Sequence, residues 1–225
     1  VAEFMLKRCS AARRIVCGLR SGFHAYMMHS DKAFLFNAQQ RDGFPADPKA
    51  IYLTTGASEG VTLGLVSQFL FIFGGFSVLG ASVIVEVRAA GSDICVDFTE
   101  LQQAAADAFT DGTKLRAITV INPGNPVGAV LDREDIVMII NFATEQKLVI
   151  LADEVYQANV YAEGKKFHSF KKVLRELQAE DQMRYKETQL ISFHSTSKGI
   201  IGECGQRGGY MEYVGLPRIC LLQAR

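Results

Sequence analysis

Lys198 stands in the run Ser195-Thr196-Ser197-Lys198-Gly199, and Arg207 follows nine residues later in a glycine-rich stretch. A lysine that loses its proton, through burial or a nearby positive charge, can form a Schiff base with an aldehyde cofactor. Most lysines are solvated loop side chains instead, so Lys198 needs support from elsewhere in the chain. Ser-x-x-Lys also occurs in penicillin-binding enzymes, but the S-D-N and K-T-G segments that accompany it there are absent.

Asp153, in "LADEVYQ", suits a carboxylate that pairs with a protonated pyridine nitrogen. Keeping that nitrogen charged makes the ring an electron sink, which pyridoxal-phosphate catalysis requires. Tyr156 and Asn125 can each hydrogen-bond a phenolate oxygen on such a ring. Each residue also has a plainer reading, Asp153 as a strand-end turn or helix cap and Asn125 as an Asn-Pro turn. Those readings leave unexplained why Pro123 and Pro126 bracket Asn125. A phosphate would need donors and positive charge. Arg207 offers a two-pronged fork, Ser195 a hydroxyl, and Ala57 and Ser58 in "TTGASEG" the free amides of a helix start. That last segment is equally an ordinary helix cap.

The elements that must hold these groups alternate along the chain. "AIYLTTG", "ASVIVEV", "LRAITVI", "KLVILA" and "QLISF" read as strands. "TELQQAAADAF", with Thr99 as cap, "DREDIVMIINFATEQ", with Asp132 as cap, and "SFKKVLRELQAE" read as helices. This alternation predicts an α/β fold, a mostly parallel sheet flanked by helices with right-handed crossovers. "NPGNPVG", "DEVYQ" and "HSTSKG" each follow a strand, so all three should open onto the crevice beyond the carboxyl ends of the sheet.

A chain of 225 residues is long enough for one large α/β domain. Its net charge of zero argues against a nucleic-acid partner held by bulk charge. Five scattered cysteines without a C-x-x-C pair, and four histidines without an H-x-x-x-H pair, point to free thiols and no metal site. Residues 1–30 hold five basic residues against one acid. That pattern fits a mitochondrial transit peptide or a surface helix, leaving cytoplasm and mitochondrion both open. From Gly60 to Val85 no residue is charged, which is long enough for a membrane span. Five glycines and Gln68 favour the buried core of an α/β sheet instead.

"NPGNPVG", "LADEVYQ", "SFHSTSKG" and "GECGQRGGYME" together resemble the fold-type I aminotransferases of classes I and II. "FHSFKKVL" and "FHSTSKGIIGECGQRGGYME" resemble the members that use L-alanine. The resemblance implies transamination between L-alanine and 2-oxoglutarate, with pyridoxal 5′-phosphate as cofactor and amino acids and 2-oxo acids as substrates. A homodimer is implied when the protein is intact, with no nucleic-acid or membrane partner. Lys198 would carry the cofactor and move the proton, Asp153 would pair with the ring nitrogen, and Asn125 and Tyr156 with the ring oxygen. Ala57, Ser58, Ser195 and Arg207 would hold the phosphate. The family's ring-stacking aromatic has its nearest counterpart in Phe69 of "QFLFI", which also reads as a core aromatic. The same comparison divides the chain into a poorly matched segment 1–50, a cofactor-binding large domain 51–215 shortened between 59 and 69, and a divergent tail 216–225. The family's small domain, with the arginine that grips the substrate carboxylate, would lie beyond Arg225. A partial or rearranged chain with impaired activity is therefore expected, the alternative being an inactive remnant that binds cofactor or a partner subunit.

Overall fold

In the computed structural model, residues 40–71, 89–90, 93–94, 98–200 and 202–216 are described, with backbone only at 65–71, 89–90 and 93–94. Strand β1 (Ile51–Thr54) is entered through one 3-10 turn, Pro48–Ala50, whose cap Asp47 accepts the Lys49 amide at 2.9 Å. Helix α1 (Ala57–Phe71) follows directly. A short antiparallel pair, β2 (Ala89–Ala90) and β3 (Asp93–Ile94), precedes α2 (Phe98–Thr110). Thr99, expected as the cap of α2, is its second residue. The chain continues as β4 (Ala117–Ile121), α3 (Arg133–Glu145), β5 (Val149–Asp153), α4 (Phe170–Glu180), α5 (Gln182–Tyr185), β6 (Gln189–Ser195) and β7 (Gly209–Val214). Asp132 caps α3 as its position predicts, its own amide donating to Asp135 Oδ2 at 3.2 Å. Ser169 caps α4 by accepting the Lys172 amide at 3.0 Å. The strand expected at "ASVIVEV" lies outside the described residues.

The five-stranded sheet has the order β1-β7-β6-β5-β4. β4, β5 and β6 pair in parallel, joined by the crossover helices α3 and α4. β7 differs from the parallel pairing that the alternation implies. It runs antiparallel to both β6 and β1, so four of five strands share one direction. Between β6 and β7 the described residues form no α-helix, only a 3-10 turn, Cys204–Gln206, and a loop is enough to connect antiparallel neighbours.

Period-two alternation in β5 sends Ile150 and Ala152 to one face and Val149 and Leu151 to the other, with both faces buried. On the first face Ile136, Ile139 and Ile140 of α3 and Phe170, Val173 and Leu174 of α4 close the core. On the second, Ile191, Phe193, Met211 and Tyr213 pack under α1. Gly60 and Gly64 explain how α1 lies so close. A Cβ on Gly60 would stand 3.1 Å from the Phe193 ring, and one on Gly64 would stand 3.4 Å from Ile191. The uncharged run therefore begins as a helix docked on a sheet. Among the described residues, no helix is long and apolar enough to cross a membrane.

Candidate active site

Because β1, β4, β5 and β6 share a direction, their carboxyl ends lie along one edge of the sheet. Antiparallel β7 begins at that same edge, where Gly209 pairs with both Ser195 and Thr54. The loop from Thr196 to Gly208, which carries Lys198 and Arg207, is thus anchored at both ends beside the start of α1.

Asp153 is the last residue of β5 and pairs in register with Phe193, a member of the core under α1. Ser195, two residues beyond Phe193, faces the same side. Asp153 is half-buried, and among the described residues Oδ1 accepts a long bond of 3.4 Å from the Val155 amide. Burial raises its pKa, while the Val155 amide and the Lys198 charge act in the opposite direction. Across the crevice, Asn125 Nδ2 donates to the Tyr156 hydroxyl at 3.3 Å. The Lys198 ammonium lies 5.4 Å from the centre of the Tyr156 ring.

Arg207 is placed by the loop itself. Its Nη1 donates to Ser197 Oγ and to the Cys204 carbonyl, both at 3.2 Å. Its Nη2 lies 2.8 Å from where a Cβ on Gly56 would be, so any other residue at 56 would displace the guanidinium. Gly56 also has φ of 152°, a conformation that L side chains rarely adopt. Ala57 and Ser58 are the first residues of α1, where N–H groups lack intrahelical partners. Ser195 Oγ accepts the Ser197 amide at 3.1 Å and so holds the loop's first turn. Arg207, the α1 start and Ser195 therefore converge on one anion-favouring corner. One carboxylate intrudes: Glu59 Oε2 accepts the Thr55 amide at 2.6 Å.

Phe69 is the remaining residue expected at this site. It lies on α1 twelve residues after Ala57, which at helical rise is about 18 Å along the axis. Its side chain lies outside the described residues.

The opposite face of the same edge carries residues that sequence reasoning missed. Arg41 forks onto Asp42 at 2.7 and 2.9 Å and reaches Glu154 Oε2 at 3.1 Å. Glu154 is fully buried, and its other partners are the Phe170 amide at 2.8 Å and the Ser192 hydroxyl. Burial raises the Glu154 pKa and Arg41 pulls it down. Lys171, also buried, donates to Glu212 at 2.6 Å and lies 3.6 Å from Asp42. His194 contacts Gln157 on this side, and burial, then Arg41, lowers its pKa to about 4. No local pattern in the sequence singles out these residues. "FKKVL" reads as a solvated pair of lysines, and Glu154 stands beside the more conspicuous Asp153.

A family model of the class I and II aminotransferases matches residues 75–214. The chain is 42% identical over 193 residues to glutamate–glyoxylate aminotransferase 1 of Arabidopsis thaliana, a match covering 80% of this chain and 40% of that protein. It is also 42% identical over 233 aligned positions to alanine aminotransferase 1 of Homo sapiens, covering 96% and 45% respectively. Among solved structures, an aromatic aminotransferase from Pyrococcus horikoshii OT3 matches with a TM-score of 0.64 at 24% identity, covering 86% of this chain and 50% of that one. An alanine aminotransferase from Pyrococcus furiosus matches at 0.61 and 21% identity, covering 86% and 48%. At such identities the likeness shows the fold. The chain spans less than half the length of these two curated relatives.

Proposed function

Because the chain belongs to the aminotransferases of classes I and II, we propose that its strand-end crevice binds pyridoxal 5′-phosphate for transamination between L-alanine and 2-oxoglutarate. The observation that carries this reading is one sheet edge presenting an anion corner and a cation-seeking carboxylate near Lys198. Arg207 over Gly56, the first amides of α1 and Ser195 suit a phosphate group. Asp153, desolvated and without a cation in hydrogen-bond contact among the described residues, suits a protonated ring nitrogen. When bound, the cofactor supplies an electron sink for carbanion chemistry.

Asp153 keeps the ring nitrogen charged, while Asn125 and Tyr156, already 3.3 Å apart, bond the ring oxygen from one side. Lys198 would hold the cofactor through its amine, and that amine would carry the proton between the substrate α-carbon and cofactor C4′. Its position over Tyr156 keeps that amine beside the group the phenol would hold. The choice of L-alanine is supported by the human relative's name, and glutamate with glyoxylate is the donor–acceptor pair in the name of the Arabidopsis one.

Borohydride reduction of the chain with saturating pyridoxal phosphate, followed by peptide mapping, should label Lys198. Label on another lysine, or none, would remove the assignment. The cofactor-loaded chain should then release pyruvate from L-alanine faster than it releases the 2-oxo acid of any other donor. A preference for glutamate with glyoxylate would reassign the substrate and leave the cofactor site standing.

A further inference from the structure

We propose that Thr54 is a positioning residue for the anion corner, its buried hydroxyl setting the first turn of α1 against Arg207. The inference rests on the proposed function for the identity of the anion, a phosphate ester, and not for the corner itself.

The amides of Ala57 and Ser58 can hold an anion only while they stay free and point out of the helix end. Gly56, which precedes α1, has no side chain to cap them. Among the described residues no other side chain accepts either amide. The same glycine leaves the turn loose, because a residue without a Cβ can rotate its carbonyl widely. Thr54 removes that freedom. Its Oγ1 donates to the Gly56 carbonyl at 2.9 Å, in a buried position. The Gly60 amide reaches the same carbonyl only at 3.3 Å, so the hydroxyl makes the shorter bond. In a planar trans peptide the N–H points opposite to the C=O. The Gly56 carbonyl points into α1, and fixing it there aims the Ala57 N–H outward.

Thr54 also stands where the two halves of the corner meet. It pairs in register with Gly209, two residues after Arg207. A Cβ on Gly209 would lie 3.1 Å from Thr54 Oγ1 and 3.2 Å from the Gly56 carbonyl carbon. The hydroxyl therefore fills the gap between the start of β7 and the Gly56 turn. On the other side of that turn, Arg207 Nη2 lies 2.8 Å from where a Gly56 Cβ would be. A rotated Gly56 peptide would change the spacing between the guanidinium and the α1 amides. Thr54 is buried beneath the turn, so it acts through the peptide rather than on the anion.

The test compares the 225-residue chain with Thr54→Val and Thr54→Ala, which lack the hydroxyl, and with Thr54→Ser, which keeps it. Each is titrated with pyridoxal phosphate, with pyridoxal and with inorganic phosphate, followed by the ¹⁵N shifts of the Ala57 and Ser58 amides. Losing the hydroxyl should weaken both phosphate-bearing ligands about fivefold, on the scale of one hydrogen bond. Pyridoxal, which has no phosphate, should bind as before, and Thr54→Ser should restore the loss. A purely structural role for Thr54 would weaken pyridoxal to the same degree, and that result overturns the proposal. Unchanged phosphate binding without the hydroxyl, or no recovery in Thr54→Ser, overturns it as well. Should Thr54→Val not fold, Thr54→Ala decides. If the unsubstituted chain binds inorganic phosphate at these amides but not pyridoxal phosphate, the functional reading fails, and the dependence on Thr54 still decides the positioning role. If it binds neither, both fail.

Discussion

Asp153, Glu59 and His194 each sit where one proton or one charge changes the outcome. Under the proposed function, Asp153→Asn should keep pyridoxal phosphate, since the proposed phosphate contacts are untouched, and lose chemistry. Losing a preorganised electrostatic partner of this kind raises a barrier by about 3–4 kcal/mol. Amino-transfer rates measured at saturating cofactor, beside cofactor affinity, check it, and near-normal turnover would remove Asp153 from the ring-nitrogen role. Glu59→Gln keeps an acceptor for the Thr55 amide but removes a negative charge beside the anion corner. Pyridoxal phosphate should bind up to about fivefold tighter, while α1 loses roughly 0.3–1 kcal/mol of favourable helix-end electrostatics. Titration calorimetry and urea melts should show these opposite signs. For His194 the folded pKa of about 4 lies below the ordinary 6.5, so the unfolded chain binds the proton more readily between those values. Its contribution is intact above pH 6.5 and is lost as pH falls toward 4, by on the order of 3 kcal/mol. In His194→Gln, urea melts should show a shallower decline across that window.

At the scale of elements, α1 is held against the sheet by two glycines that differ in clearance. Replacing either glycine by alanine gains about 1 kcal/mol of helix propensity. At Gly60 the added methyl would meet the fully buried Phe193 ring at 3.1 Å, and overpacking of a close-packed core costs about 1–3 kcal/mol. At Gly64 the nearest atoms are at 3.4 Å, an ordinary contact. Gly60→Ala should therefore destabilise the chain, and Gly64→Ala should leave stability unchanged or raise it. Equal losses in chemical denaturation would contradict this docking of α1. The direction of β7 is the other decision made at this scale. It returns the loop carrying Lys198 and Arg207 to the edge where the parallel strands end. A parallel β7 would carry Arg207 to the far end of the sheet.

Across the whole molecule, Asp42, Glu154 and Glu212 share the interior with Arg41 and Lys171, three carboxylates to two cations. Lys171→Met should cost about 3–5 kcal/mol, because Asp42 and Glu212 lose a cation while remaining buried. Adding Glu212→Gln should recover part of that loss, and a single substitution costing under about 1 kcal/mol would show that the network relaxes freely. The groups facing the crevice were legible in the sequence: Lys198, Asp153, Asn125, Tyr156 and Arg207 follow apolar runs or sit among glycines and prolines. Strand ends, turns and caps are dictated by neighbouring residues, so local order was enough to find them. Helix continuity places Phe69 about 18 Å along α1 from Ala57, a separation that only the length of the helix sets. The buried network was not legible. Arg41 meets Glu154 across 113 positions of chain, and the partners of buried Lys171 are Glu212, which arrives on β7, and Asp42. Burying a charge depends on finding its partner, and which strand fills the gap between β1 and β6 is decided only when the sheet assembles.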